Sequence, residues 1–313
     1  MLFNSYQFLL FFPIVVLLYF VIPKPAKNYM LLAASYIFYM GWNPLYALLL
    51  LSCTIVTFFA SLVLETSLVS EKGKSNRVAV TAISIVIILG MLFYFKYLNF
   101  SINFLNNLFA KFKVSKSLPM RDIILPVGIS FFSFQAIGYL IDVYRGDVKA
   151  EHNFFKYALF VSFFPQLVAG PIERSKNLLS QLDKTYSFDF DRAKDGLFTM
   201  LWGYVLKMVI ADRAAIFVDT IYGNWAACTG SQLAAATFFF AIQIYCDFAG
   251  YSLIALGAAK VLGINLMKNF DSPYFSCSVK EFWRRWHISL STWFRDYLYI
   301  PMGGGIKVYG VKD

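Results

Sequence analysis

Charged side chains are scarce in this 313-residue chain, in which Asp, Glu, Lys and Arg together make up 15% of the residues. Soluble globular domains contain about 25% of these residues. Hydrophobic side chains account for 59% of the chain, and the mean hydropathy is +0.60. The shortage of charge therefore excludes a soluble globular domain and indicates an integral membrane protein.

Residues that bind metals or carry redox chemistry are also few. Of the two histidines, His152 lies in a polar stretch with no second histidine at metal-ligand spacing, so we expect it to be solvated. The four cysteines are far apart and lack the paired spacing of zinc or redox sites: Cys53, Cys228, Cys246 and Cys277. The sequence has no P-loop, no dinucleotide-binding glycine pattern and no carboxylate cluster. These absences argue against ATP hydrolysis, hydride transfer and metal catalysis, and we expect no metal site.

What the chain does contain is a series of apolar runs. Five of them are nearly free of charge, and most approach the ~20 residues that a helix needs to cross ~30 Å of hydrocarbon. These five runs cover residues 8–22, 45–64, 78–95, 123–143 and 154–169. Three further runs are short, interrupted by a lysine or too long for one upright crossing: 29–42, 197–210 and 233–262. Because lipid cannot satisfy open backbone groups, we expect an all-α membrane domain over residues 1–313 with about eight membrane segments, some tilted or broken.

The basic residues cluster between the apolar runs, which is the arrangement that fixes membrane topology. The net charge of +10 is distributed in this way and does not require a nucleic-acid partner. The first run follows no basic segment and ends in a Pro-Lys-Pro turn, so we expect a retained helix rather than a cleaved signal peptide. If the turn at Lys24 and Lys27 is cytoplasmic, loop 65–77 is cytoplasmic too. The basic stretch 96–121 then falls outside, so a membrane-surface helix or a miscounted span must intervene.

Proline and glycine interrupt the chain between residues 162 and 182. The breaking residues and the charged pair that follows them are Pro165, Gly170, Pro171, Glu173 and Arg174. We expect this segment to dip into the membrane and turn back, which is tolerated where protein or water lines it. The alternative is an ordinary helix end with a proline stop. Residues 175–182 carry leucines at helical spacing and predict a short helix along the membrane interface.

Polar side chains also occur in the middle of the long run 233–262. They are Gln243, Tyr245, Asp247 and Tyr251. A carboxylate at membrane depth costs at least ~2.5 kcal/mol, so Asp247 should face the protein interior, where a substrate pathway can run. The alternative is a structural ion pair with Arg284, Arg285 or Arg213. Gly250 permits a bend that would make the long run fit the membrane.

The segment 281–305, EFWRRWHISLSTWFRDYLYIPMGGG, concentrates the chain's unusual residues. Treated as one helix over residues 281–300, it places five side chains on a single aromatic and apolar face: Trp283, Trp286, Leu290, Trp293 and Tyr297. His287 adjoins this face, with Arg284 one turn before it and Ser291 one turn after it. Because nearby arginines disfavour a protonated imidazole, a neutral His287 can accept a proton from a hydroxyl or position a substrate.

The role of His287 stays open at this point. A Ser-His-Asp relay within the helix is geometrically unfavourable, because Asp296 is nine residues beyond His287 and points away. No G-x-S-x-G elbow elsewhere supplies a nucleophile. The segment can also be an interfacial helix whose aromatic and arginine side chains anchor at headgroup level, with His287 as a bystander.

Three motifs carry a family resemblance. FPQLVAGPIERSKNLLSQL, QIYCDFAGYSLIALG and EFWRRWHISLSTWFRDYLYIPMGG occur in this order, separated by apolar segments. In these motifs and over essentially its whole length, the chain resembles the bacterial branch of the membrane-bound O-acyltransferases, the branch that contains alginate O-acetyltransferase. The resemblance implies a ring of tilted transmembrane helices with re-entrant and interfacial helices, in the bacterial cytoplasmic membrane.

The resemblance also implies a reaction. A cytoplasmic thioester, acetyl-CoA or an acyl carrier, would donate an acyl group to a hydroxyl of an extracytoplasmic polysaccharide or to a relay protein, with no other cofactor. The residues that would line the tunnel are Gln243, Tyr245, Asp247, Arg284, Arg285, Trp286, Ser291, Gly170 and Pro171. His287 matches the family's upstream histidine and would have a supporting role. An inactive membrane scaffold for an extracytoplasmic acetyltransferase and a transporter are the alternatives.

The chain departs from the family pattern in three places. The family's main catalytic histidine lies in a later Trp-His-Gly motif, which these 313 residues do not contain. Leu253 replaces an aspartate that is common after Tyr-Ser, and the sequence from Gly305 onward differs from the family. We therefore expect a C-terminally truncated chain that lacks the last helices of the family fold.

Overall fold

The computed structural model describes residues 1–66, 73–114, 117–168 and 170–304. These residues form helices and connecting segments, and no β-strand occurs among them. The first seven α-helices are α1 Tyr6–Val21, α2 Lys27–Met40, α3 Pro44–Thr66, α4 Gly73–Leu92, α5 Leu98–Lys111, α6 Ile129–Arg145 and α7 Phe154–Ser162. The other seven are α8 Phe164–Leu167, α9 Ser175–Leu182, α10 Phe190–Tyr204, α11 Asp212–Gly223, α12 Gly230–Val261, α13 Val279–Arg285 and α14 Ile288–Phe294.

Shorter elements connect some of these helices. Single 3₁₀ turns occur at Lys24–Ala26, Trp225–Ala227 and Pro273–Phe275. Wider π-helical turns occur at Phe93–Tyr97, Val205–Ala211 and Arg295–Tyr299. Residues 67–72 of the predicted loop 65–77 and the segment from residue 305 onward lie outside the described residues.

Three helices in the described ranges are long and apolar enough to cross a membrane: Pro44–Thr66, Asn76–Lys111 and Gly230–Val261. Tyr6–Val21 is a shorter apolar helix. Because helices satisfy their own backbone groups, this composition fits a helical membrane protein, as the sequence predicts. The count of about eight membrane segments and the ring arrangement stay predictions.

The basic stretch 96–121 does not begin with a loop. The helix of α4 continues through the π-helical turn at Phe93–Tyr97 into α5, so Lys96 lies within one long helix. The helix therefore extends beyond the apolar run that ends at residue 95. No proline or glycine lies between residues 91 and 111 to stop the helix, and Lys96 directs its ammonium to the Ser130 hydroxyl at 3.4 Å.

Two predicted apolar runs are only partly helical. In the run 123–143, residues 123–128 are not helical, because Pro126 precedes Gly128, which has a φ of 76°. The helix α6 begins only after this glycine. In the run 154–169, α7 ends at Ser162 and α8 is a single turn that begins next to Pro165. A proline ring cannot be accommodated in a helix interior, which explains the break between α7 and α8.

Helices α10 and α12 pack closely through facing glycines. A Cβ added to Gly203 would lie 2.7 Å from the Gly250 carbonyl oxygen, and a Cβ added to Gly250 would lie 2.7 Å from that of Gly203. Gly196 and Gly257 face each other in the same way. The helix α12 remains helical through Gly250. The glycine therefore serves close helix contact, and the bend that we expected there is not needed to explain it.

Buried hydroxyl groups link α3 to α6 and α7. The Tyr157 hydroxyl donates to Thr57 Oγ1 at 2.6 Å, and the Tyr139 hydroxyl donates to Ser61 Oγ at 3.1 Å. The Tyr139 oxygen also accepts from the Glu151 amide at 2.8 Å. These bonds satisfy polar groups that would otherwise be costly to bury. They fix α6 and α7 against α3.

Replacing Gly203 with alanine should destabilise the protein by about 1–3 kcal/mol, because the new methyl group would overlap the backbone of α12. Gly90→Ala is the matched control, since a Cβ at Gly90 in α4 meets no atom within 4 Å. Alanine favours a helix over glycine by up to ~1 kcal/mol, so this control should be neutral or stabilising. Thermal unfolding in one detergent measures both variants. Equal midpoints would contradict close packing at Gly203.

Candidate active site around His287

The helix predicted over residues 281–300 is broken in the structure. Helix α13 ends before Trp286, which is extended, and His287 adopts the left-handed conformation with φ 43° and ψ 55°. The break is held by a neighbouring loop. The Ile288 amide donates to the Asn269 carbonyl at 2.9 Å, and the Asp271 amide donates to the Arg285 carbonyl at 3.0 Å. The prediction of one continuous helix is wrong because these tertiary bonds replace helical ones.

His287 lies among aromatic rings. Its ring centroid is 4.7 Å from that of Phe248 in α12 and 6.2 Å from that of Phe131 in α6. The Nδ1 atom is buried and has no hydrogen-bond partner among the described residues. His287 lies outside the three helices of membrane-spanning length. Burial lowers its pKa from 6.5 to about 4, so the imidazole is neutral near pH 7.

Ser291 and Asp296 do not form a relay with His287. The Ser291 amide donates to the His287 carbonyl at 3.0 Å, and its hydroxyl donates to the Trp286 carbonyl at 3.3 Å. Ser291 therefore satisfies backbone groups at the start of α14. Asp296 pairs with Arg174 and with Arg295, at 2.7 Å in each case. No hydrogen bond found in the described chain joins either side chain to the imidazole.

The break at Trp286 also divides the predicted aromatic face. The Trp286 ring packs against Phe282 and Phe270, with centroids 5.5 and 5.1 Å away, whereas Trp283 is exposed. Trp293 is buried and donates from Nε1 to the Phe134 carbonyl of α6 at 2.8 Å. The residues that were expected on one face are therefore divided, because Trp286 packs on the loop before α13, Trp293 packs on α6 and Trp283 is exposed.

The two arginines that precede His287 differ in their contacts and exposure. Arg285 pairs with Glu281 at 2.6 Å, one helical turn away, and Arg284 is exposed. Neither arginine contacts Asp247. The structural ion pair that we considered for Asp247 does form, but its partner is Lys207, at 2.5 Å from Oδ1. Lys207 also contacts Asp212 at 2.8 Å. The predicted arginine partners are wrong because the π-helical turn after α10 brings Lys207 alongside α12.

Gln243 and Tyr245 lie on α12, before Asp247. The Gln243 Oε1 atom is buried and lacks a hydrogen-bond partner in the described part of the chain. The Tyr245 ring contacts Trp286, with centroids 6.1 Å apart, and Phe270 at 5.7 Å. The structure thus brings α12 and the residue before His287 into one aromatic cluster.

The segment 170–174 leaves the single turn of α8 in an extended form. The Gly170 amide donates to the Gln166 carbonyl at 3.0 Å, and a Cβ at Gly170 would overlap the Gln166 backbone. Pro171 is buried. Helix α9 covers the predicted residues 175–182, with its leucines buried in the protein core, and its position along the membrane interface stays a prediction. Whether this segment re-enters the membrane stays a prediction.

A loop between α12 and α13 connects this segment to the His287 region. The Glu173 carboxylate accepts from the Met267 amide and from Asn177 Nδ2. Gln181 of α9 forms two bonds to the Asn265 backbone, each 2.8 Å long. The sequence analysis did not identify this loop as part of the site. The available signal was a segment of mixed polar and apolar residues, INLMKNFDS, between two apolar segments.

A second polar cluster joins the same segment to the end of the 281–299 region. The Tyr297 hydroxyl donates to Asp142 at 2.7 Å, and the Ser175 hydroxyl donates to the other Asp142 oxygen at 3.0 Å. The Arg174 guanidinium lies 4.5 Å above the Tyr297 ring and also pairs with Asp296. Gly170 and Pro171 are therefore linked to the His287 region through the residues that follow them.

The remaining chemistry-bearing residues lie elsewhere. His152 is mostly exposed, and its Nε2 lies 2.8 Å from Glu65. Across the described ranges, no group of three or more His, Cys, Asp and Glu side chains is placed to hold a metal ion.

The sequence from residue 3 to residue 310 matches the membrane-bound O-acyltransferase family. The chain belongs to this family. It is 40% identical over 306 residues to the probable alginate O-acetylase AlgI of Pseudomonas aeruginosa, covering 97% of this chain and 58% of that protein. It is 32% identical to the peptidoglycan O-acetyltransferase of Helicobacter pylori, covering 97% of this chain and 62% of the relative.

A more distant relative is the teichoic acid D-alanyltransferase of Bacillus subtilis. The identity is 28%, over 58% of this chain and 47% of that protein. The chain thus spans about three fifths of the length of the first two relatives. The three motifs of the sequence analysis lie within the matched range.

Glu173→Gln should loosen the loop beside His287. The two groups that donate to the carboxylate are the Met267 amide and Asn177 Nδ2, and an amide nitrogen in place of one oxygen cannot accept from either. We expect a loss of about 1–3 kcal/mol, with faster hydrogen exchange at the Met267 amide. Exposed Asp219→Asn in α11 is the control. Unchanged exchange at Met267 in the Glu173 variant would argue against this anchoring role.

Proposed function

We propose that this protein is the acyl-transfer part of a membrane-bound O-acyltransferase that places an acetyl-like group on a cell-surface polysaccharide. The acceptor is a hydroxyl group of a polysaccharide, as in alginate, or a residue of a relay protein. Family membership supports the reaction class, and two relatives carry O-acetylase or O-acetyltransferase in their names. The most similar of these three relatives is named for alginate, which supports a polysaccharide acceptor.

The donor that we propose is a cytoplasmic thioester, either acetyl-CoA or an acyl carrier, acting across the bacterial cytoplasmic membrane. Helices of membrane-spanning length support a location in a membrane. The teichoic acid D-alanyltransferase among the relatives supports transfer to a cell-envelope acceptor. In such a reaction the acceptor oxygen attacks the thioester carbonyl, the C–S bond breaks, and the leaving thiolate takes up the proton that the acceptor hydroxyl loses.

His287 is the observation that carries the proposal. A histidine with a left-handed backbone, held by bonds from another loop, is a strained arrangement of the kind that clusters at functional sites. Its buried Nδ1 has no partner in the described chain and is free to bond a substrate group. We assign His287 the role of orienting the acceptor hydroxyl through a hydrogen bond, in support of proton removal.

The proposed lining residues do not contribute equally. Gln243 has a buried oxygen without a partner, and Tyr245 and Trp286 belong to the aromatic cluster next to His287, so we keep all three as lining residues. Arg284 is exposed and can reach an anionic group. Arg285 and Ser291 already bond protein groups.

The other candidate lining residues already have roles within the protein structure. Asp247 already pairs with Lys207. Gly170 and Pro171 shape the chain before Glu173. Their part in the proposed tunnel is to position neighbouring residues, and we place no substrate bond on them.

His287→Ala should lower acetyl transfer from a radiolabelled thioester to polysaccharide in membranes by about 10²-fold, the lower end for losing a group positioned for proton transfer. His152→Ala is the matched control, because the other histidine is mostly exposed. It should leave the rate unchanged. Transfer that is indifferent to His287→Ala would refute the assigned role. Membranes that recruit a partner acetyltransferase without forming acylated product would favour the scaffold, and substrate accumulation without acylation would favour a transporter.

The pH profile should report a neutral imidazole. With its pKa lowered to about 4, His287 keeps its hydrogen-bond acceptor down to about pH 5 and loses it only as the pH falls further. The ratio of the wild-type rate to the His287→Ala rate should therefore be constant from about pH 8 to about pH 5. A ratio that falls by half near pH 6.5 would mean that the imidazole titrates as in water.

A further inference from the structure

A cleft of about 880 Å³ lies between α1 and α10. The first helix lines it between Phe12 and Val21, and α10 lines it between Phe190 and Leu201. Among the described residues, the cleft shares no lining residue with the aromatic surroundings of His287. It is therefore a feature separate from the candidate active site.

The cleft is apolar and opens to the outside of the protein. Its walls include Leu17 of α1 and Phe198 of α10, which are 66% and 60% exposed. Ala193 and Val261 also line the cleft and are buried, so they lie deeper in it. An exposed apolar surface of this kind marks a contact with a membrane or a partner. Its lining fits a hydrocarbon chain.

The length of the cleft matches one leaflet of a bilayer. At 1.5 Å per residue, the part of α1 from Phe12 to Val21 covers about 14 Å. The hydrocarbon core of a bilayer is ~30 Å thick, so one leaflet contributes ~15 Å. An acyl chain that lies along α1 would reach from headgroup level to about the bilayer centre.

The end of the cleft beside Val21 has the side chains of a membrane interface. The Lys27 ammonium donates to the Tyr186 carbonyl at 3.0 Å and lies 4.6 Å from the centroid of the Tyr19 ring. The Arg192 guanidinium lies 5.8 Å from the centroid of the Tyr186 ring. Tyrosines and basic side chains concentrate where helices leave the hydrocarbon. This end is therefore where a lipid headgroup would lie.

Lys194 places a cation in the cleft itself. It is the only charged residue found to line the cleft in the described part of the chain, and it is exposed. The acidic residue that follows it, Asp195, pairs with Lys260 at 3.3 Å. No carboxylate of the described residues forms an ion pair with Lys194. Its ammonium is thus available to an anion that enters the cleft.

The chain around the same end is also basic. Residues 23–27 and 186–194 together contain four Lys or Arg residues and two Asp residues. One of the two acids, Asp189, caps α10 by accepting from the Arg192 amide at 2.9 Å. The charge at this end favours an anion, and the anions at this depth of a membrane are lipid headgroups.

We propose that this cleft binds one anionic phospholipid, with an acyl chain between α1 and α10 and the headgroup phosphate on Lys194. The lipid would connect α1 to α10, which packs on α12 through facing glycines. It would thereby brace the helix that carries Gln243, Tyr245 and Asp247. The inference does not depend on the proposed acyl transfer.

Native mass spectrometry tests the proposal on protein that has been stripped of lipid in detergent. The probes are phosphatidylglycerol and phosphatidylcholine with identical acyl chains. Phosphatidylglycerol should bind about fivefold more tightly, the factor that one basic side chain contributes at a membrane surface. Equal affinities would overturn the proposal. Glycerol 3-phosphate has the phosphate without an acyl chain and should not compete, and competition by it would show a site for free phosphate instead.

Lys194→Gln tests the cation. It should lower the affinity for phosphatidylglycerol about fivefold, to that for phosphatidylcholine, and leave phosphatidylcholine binding unchanged. Lys176→Gln is the matched control, because Lys176 is exposed in α9 and does not line the cleft. It should bind both lipids like the wild type. An undiminished preference for phosphatidylglycerol in Lys194→Gln would overturn the assignment.

Leu197→Trp tests the place of the acyl chain. Leu197 lines the cleft and is 52% exposed, so a larger ring there should fit without disturbing the core and should occupy the space of the chain. We expect loss of both bound lipids. Leu48→Trp in α3 is the matched control, because Leu48 is 63% exposed and lies outside the cleft lining. Wild-type binding of both lipids by Leu197→Trp would refute a chain in the cleft.

A second copy of this protein is the competing occupant. Phe198→Cys places a thiol on the wall of the cleft, and a thiol-specific cross-linker in membranes reports whether two copies meet there. We expect no more dimer than the wild type gives through its own cysteines. Additional dimer with Phe198→Cys would mean that protein fills the cleft and would overturn the proposal.

Discussion

The hydrogen bonds between the loop before α13 and the start of α14 are the constraint on which the candidate site depends. Asn269 accepts from both the Ile288 amide and the Ser289 hydroxyl. A left-handed backbone at a residue such as His287 costs on the order of 1–3 kcal/mol and persists only when its surroundings over-determine it. The loop provides the hydrogen bonds that hold the backbone of His287 in place. The loop is in turn held by hydrogen bonds with Glu173 and Gln181.

Polar burial in this protein takes two forms with different consequences. The Lys207–Asp247 pair and the bonds around Asp142 satisfy charges inside an apolar scaffold and connect helices that are distant in sequence. The Asn269 Nδ2 and His287 Nδ1 atoms are buried and have no partner in the described chain. Because desolvated polar atoms are costly, we interpret the first group as structural and propose that His287 Nδ1 bonds a substrate group.

The sequence predicted the helices well where the chain is uniformly apolar and less well where it is not. The predicted helix over residues 281–300 is broken at His287, and Trp286 and Trp293 of its predicted face pack on different surfaces. Periodicity reports which side chains avoid water, and it carries no information about a loop that competes for backbone hydrogen bonds. The start of α6 was misplaced for a local reason, a glycine with positive φ after Pro126.

By itself, the sequence indicated an all-helical membrane protein of the O-acyltransferase family and singled out His287 as a candidate site residue. Composition and motif order suffice for this, since they depend only on the residues present. Tertiary structure alone decided that Lys207 rather than an arginine pairs with Asp247, and that Asn269 lies beside His287. Both contacts join residues far apart in the chain, and their choice depends on how the helices pack rather than on any local pattern.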